Sequence, residues 1–120
     1  MGNMDISLKE MMGIDGALGA VVVDYNSGMA LGALGGSKDL DLQVAAAGNT
    51  EVVKAKMRTM ESLGLKDGIE DILITLGGQY HVIRPLSGRS GKGLFLYLAL
   101  DRTRANLALA RHSLRSIEEK

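Results

Sequence analysis

Apolar positions change their period several times along this chain, and each change marks an element. Residues 4–13 set Ile6, Leu8, Met11 and Met12 on one side of a short helix that Gly13 ends. Ala17-Leu-Gly-Ala-Val-Val-Val-Asp-Tyr25 has no polar alternation, so its β-branched run predicts a strand buried on both faces. Asn26-Ser-Gly28 then supplies residues that tolerate positive φ, as a tight hairpin requires, and Met29–Leu34 returns as a second strand of small residues.

The longest helix is predicted over Asp39–Leu63, with Ser37 or Asp39 as its cap and Gly64 at its end. Apolar positions 42, 45, 46, 49, 52, 53, 57, 60 and 63 keep the helical period, Asn49 being the one polar member. Its opening, Val44-Ala-Ala-Ala-Gly48, carries small side chains that let another backbone approach closely. That backbone is either the chain's own sheet or a helix of a twin subunit.

Three strands follow: Ile69–Leu76, a Gly77-Gly78 turn into Tyr80–Leu86, and Leu94–Leu100 after the Ser87–Gly93 loop. Pro85 falls at a strand end, where a missing ladder donor costs little. A last helix starts near Thr103, its expected cap, and sets Leu107, Ala110, Leu114 and Ile117 in one stripe. The order α-β-β-α-β-β-β-α predicts an α/β fold, a five-stranded, mostly antiparallel sheet with helices on both faces. Residues 1–120 read as a single domain.

Composition narrows the function. Three Tyr, one Phe and no Trp leave an aliphatic core. Fourteen cations balance fourteen anions, which with so few aromatic rings argues against nucleic acid as a partner. The absence of cysteine excludes disulfides and thiolate metal sites. The opening MGNMDISLKEMM has neither the basic nor the apolar region of a secretory signal, and Ile6 stands where a myristoylation pattern wants Ser or Thr. No apolar run approaches the ~18 residues that span a bilayer. A cytoplasmic protein without membrane insertion is expected.

Charge is nevertheless uneven. Between Arg84 and Ile117 stand Arg84, Arg89, Lys92, Arg102, Arg104, Arg111 and Arg115, against the single anion Asp101. Either these are a solvated helix face and a loop, or they face an acidic partner or an anionic surface.

Three stretches, in this order, resemble the roadblock / dynein light-chain family. Gly16–Asp24 with Asn26-Ser-Gly28 is similar to its opening hairpin, Ile72–Leu86 to its central hairpin, and Leu94–Leu100 with Asp101–Ala110 to its last strand and helix. The likeness covers nearly the whole chain and is strongest to stand-alone bacterial members. It implies a homodimer whose sheets join edge to edge with the long helices side by side. On that carry-over the subunit contact comprises Ala45, Ala46, Asn49, Val52, Val53, Met57 and Met60 from the helix, with Ile72 and Ile74 from the strand. The resemblance also implies a partner, since many members bind Ras-like small GTPases as activators or scaffolds, while others join motor assemblies. Arg84, Arg89, Arg102 and Arg104 are the candidate residues for that partner surface. The family pattern has no catalytic triad and no fixed arginine finger, so a non-enzymatic role without a cofactor is expected.

Other chemistry fails on spacing. Ser90-Gly91-Lys92-Gly93 lacks the upstream glycine of a phosphate loop, since Leu86 stands there, and lacks a Ser or Thr after the lysine. Gly13, Gly16 and Gly19 have the wrong spacing for a dinucleotide fingerprint and precede a strand. His112 has no carboxylate three or four residues away on its helix to complete a metal site. His81 reads as a sheet residue with a hydrogen-bond partner. The carboxylates Asp24, Asp39, Asp41, Asp67, Glu70 and Asp71 gather at turns and element ends, where they cap and solvate.

Overall fold

A computed structural model describes residues 2–87 and 92–120. Its elements are α1 (Met4–Met12), β1 (Ala17–Asp24), β2 (Ala30–Gly35), α2 (Leu42–Leu63), β3 (Ile72–Thr75), β4 (Gln79–Pro85), β5 (Leu94–Asp101) and α3 (Leu107–Glu119). The strands form one sheet in the order β2-β1-β5-β4-β3, and every neighbouring pair is antiparallel. The predicted element order and sheet type hold.

Strand periodicity divides the core into two layers. Ala20, Val22, Val82, Leu96, Leu98 and Leu100 point to one face, where Leu8 and Met11 of α1 and Ala110, Leu114 and Ile117 of α3 cover them. Val21, Val23, Ile83, Phe95, Tyr97 and Ala99 point to the other face, toward Leu42, Ala46 and Val53 of α2. Val21, Val22 and Val23 are all fully buried, as an unbroken apolar run in a central strand requires.

The hairpin joining β1 and β2 is built by its turn residues. Asp24 accepts hydrogen bonds from the Asn26 amide and the Ser27 hydroxyl, and Gly28 takes a φ of 76°. Gly35 ends β2 at a φ of 80°, and a Cβ there would stand 2.7 Å from the Leu18 carbonyl oxygen.

Three boundaries differ from expectation by more than one residue, and at each a competing contact is present. α2 starts at Leu42 under an Asp41 cap, which accepts from the Gln43 and Val44 amides. Ser37 and Leu40 exchange backbone hydrogen bonds instead, so residues 37–40 form a turn rather than helix. α3 is capped by Asn106, because Asp101 captures both the amide and the hydroxyl of Thr103. β3 is confined to Ile72–Thr75, without the predicted Ile69–Asp71, and Asp71 pairs with Arg111.

Candidate functional site

β3 is the end strand of the sheet and hydrogen-bonds only toward β4. Its outer backbone groups have no ladder partner in the subunit, which is the condition for pairing with another strand. Leu73 is 39 % exposed there, and Leu76 just beyond is similarly open. Ile72 and Ile74 turn toward the α2 face, opposite Ile83 and His81 on β4.

α2 covers that face incompletely. Leu42, Ala46, Thr50, Val53 and Met60 form its buried stripe. Thr50 avoids an orphaned hydroxyl by donating to its own helix, to the Ala46 carbonyl at 2.7 Å. Beside that stripe run Ala45, Gly48, Asn49 and Val52, each partly or fully exposed. A hollow of about 400 Å³ lies between Ala45, Gly48 and Asn49 on one side and His81 and Tyr97 on the other. A second, of about 670 Å³, joins Val52, Lys56 and Met60 to Ile72 and the loop before it.

The predicted contact residues therefore separate. Ala45, Asn49, Val52, Ile72 and Ile74 lie along this flank, each at least partly exposed. Ala46 and Val53 are fully buried and Met60 is 8 % exposed, so these three pack within the subunit. Met57 lines a different hollow, with Tyr25, Pro85 and Phe95. The separation has a simple cause: a nine-position stripe is broader than the arc of helix one sheet can cover, and its edges face different ways.

His81 has the hydrogen-bond partners its position suggested, two of them. Its Nε2 lies 2.7 Å from the Gln79 Oε1, and its Nδ1 lies 3.2 Å from the Tyr97 hydroxyl, with the rings edge to face. A neutral imidazole protonated on Nε2 satisfies both, donating to Gln79 and accepting from Tyr97. Burial lowers the His81 pKa, in agreement with the neutral ring, and pushes the Tyr97 hydroxyl up to about 12. The Gln79-x-His81 spacing signalled one partner, since residues two apart share a strand face. Tyr97 left no such local trace.

Solved structures match this arrangement along nearly its whole length. A roadblock/LC7 domain from Streptomyces avermitilis superposes with a TM-score of 0.81 at 13 % identity, covering 98 % of this chain and 93 % of the other. MglB of Myxococcus xanthus gives 0.81 at 15 % identity, covering 99 % and 93 %. An MglB with a tetrameric arrangement gives 0.70 at 18 % identity, covering 96 % and 87 %. The chain has the roadblock/LC7 fold. No protein-family model matches the sequence, nor does any curated protein.

On this roadblock scaffold the candidate arginines have unequal freedom. Arg84 is 12 % exposed and donates to Glu118 at 2.6 Å, so it is a structural ion pair and not an open contact. Burial pushes the Glu118 carboxyl up, but hydrogen bonds from the Ser87 amide and the Arg84 guanidinium outweigh it and hold the pKa below the ordinary value. Arg102 lies over the Tyr80 ring and donates to the Leu76 carbonyl at 2.8 Å, which fastens the β3–β4 turn. Arg104 is exposed. Arg89, with Ser90 and Gly91 of the rejected phosphate loop, lies outside the described residues.

Two further cations of the basic segment meet acids from the loop before β3. Arg111 grips Asp71 through two nitrogens, at 2.7 and 3.2 Å, and Arg115 reaches Glu70 at 3.6 Å. Among the described residues no cluster of three His, Cys, Asp or Glu could hold a metal ion. No helix among them is long and apolar enough to cross a membrane.

Proposed function

We propose that this chain is a non-enzymatic, homodimeric regulator or adaptor of a Ras-like small GTPase, working in the cytoplasm as a single domain without a cofactor. The largely aliphatic flank between β3 and α2 carries this reading: the β3 edge with Leu73, the floor of Ile72 and Ile74, and the wall of Ala45, Asn49 and Val52. Joining two copies there extends the sheet through β3 and lays the two α2 helices side by side. Such a contact satisfies the edge backbone and removes aliphatic surface from water together. The tetrameric arrangement of one MglB supports self-association on this fold. The resemblance in the sequence supports the GTPase. Arg84 and Arg102 are engaged inside the subunit, which favours a scaffold over an inserted arginine, and leaves Arg104 as the described candidate free for a partner. Neither nucleic acid nor an inserted membrane segment belongs to this role.

Light scattering on the purified chain at micromolar concentration gives the mass of a dimer, and a strict monomer removes the homodimer. Affinity purification from the native host then recovers a Ras-like GTPase whose hydrolysis rate changes when this chain is added. Recovery of other assembly proteins with no GTPase makes the chain a structural module of a larger assembly instead.

A further inference from the structure

His81 stands on the floor of the hollow beside α2, where the proposed second copy lies, and its two ring nitrogens are held by Gln79 and Tyr97, the Tyr97 hydroxyl donating to Nδ1 of the neutral ring. We propose that self-association is gated by pH, proton uptake at His81 weakening the subunit contact; this rests on the homodimer reading above. A proton arriving at Nδ1 reverses that hydrogen bond: the tyrosine oxygen now accepts from Nδ1, and its own hydroxyl proton must turn to another acceptor. Tyr97 lines the same hollow, and a covering copy takes away the space in which its hydroxyl proton could meet a new partner. The new charge also lies beneath the arriving subunit, where it loses solvent.

The surroundings do little to rescue that charge. From α2 the hollow is lined by Val44, Ala45, Gly48 and Asn49, all uncharged, and the residue of β3 paired with His81 across the sheet is Ile74. The charged groups facing it are Lys38, Asp39 and Asp41 on the segment leading into α2. All three are exposed, so water and salt screen them, and the Asp41 carboxylate already serves the Gln43 and Val44 amides. Tyr97 completes the set from β5.

The sign follows from linkage. Burial already lowers the His81 pKa in the single subunit. A covering copy buries the ring further, so the dimer binds the proton more weakly than the free subunit does. The dimer is then at full strength above the free-subunit pKa and loses strength as the pH falls through it. Each of the two His81 rings weakens association by up to about tenfold per pH unit in that window.

Sedimentation equilibrium on the full chain at pH 7.5 and pH 5.5 tests this. Wild type is expected to dissociate several-fold more readily at the lower pH (order of magnitude from the same linkage). H81Q is expected to lose the slope, and H112Q, changed on exposed α3 surface, to keep it. In wild type, the His81 ring proton titration followed by NMR is expected to move to lower pH as the protein is concentrated. A dimer at pH 7.5 whose constant does not change with pH, or whose slope survives in H81Q, overturns the gating alone. A monomer at pH 7.5 overturns the homodimer and the gating together.

Discussion

Where α1 and α3 lie side by side, they close over Val22, Val82, Leu96 and Leu98; on the opposite face α2 lies alone and leaves His81 beside an open hollow. The strands do not account for the difference. β1 and β5 send fully buried aliphatic residues to both faces, Val22 and Leu98 one way, Val21 and Ala99 the other. What differs is the number of helices available to cover them. A sheet face left partly open beside an unpaired edge is surface that a second chain can complete, whereas the two-helix face is finished within one subunit.

Substitutions can break or sharpen that contrast. Leu98→Ala empties the closed face and is expected to cost about 2–5 kcal/mol in urea unfolding, without changing the dimer constant of the folded fraction. Glu118→Gln loosens the clamp that holds the end of α3 to Arg84 and Ser87, and should cost about 1–3 kcal/mol. The Glu118 pKa is held low, so its contribution is present above the ordinary glutamate range and disappears as the pH falls through the folded value. Urea unfolding from pH 7 down to pH 3 should show that loss in wild type and a flatter curve in the variant.

Asp41→Ala removes the cap of α2, for about 1 kcal/mol by the same measurement. Smallest for the subunit is Val52→Ala on the open flank, about 0.5 kcal/mol or less. Its effect should fall on association instead, read by sedimentation. If Val52→Ala unfolds the subunit as readily as Leu98→Ala, the two faces are equally closed and the contrast fails.

Much of the fold was legible because its signals are local. The unbroken valines of β1, the Asn26-Ser-Gly28 turn and the α3 stripe of Ala110, Leu114 and Ile117 each state their own conformation within a few residues. Caps were less legible, since Ser37, Asp39 and Asp41 all have capping side chains and only the Ser37–Leu40 backbone pairing decides among them. The candidate surface was half legible. Helical period placed Ala45, Ala46, Asn49, Val52 and Val53 on one broad stripe, but could not say where the sheet beneath it ends.

By itself the sequence determined the order of elements, their periods and an aliphatic core, because those follow from neighbours in the chain. Only the tertiary structure decided which side of α2 is left open and which charges are free. The basic run from Arg84 to Ile117 meets Glu118, Asp71 and Glu70, all lying outside that run, and His81 meets Tyr97 from another strand. Ion pairs and hydrogen bonds act over a few ångströms of space, whatever the separation along the chain, so folding had to bring those partners together before their roles existed.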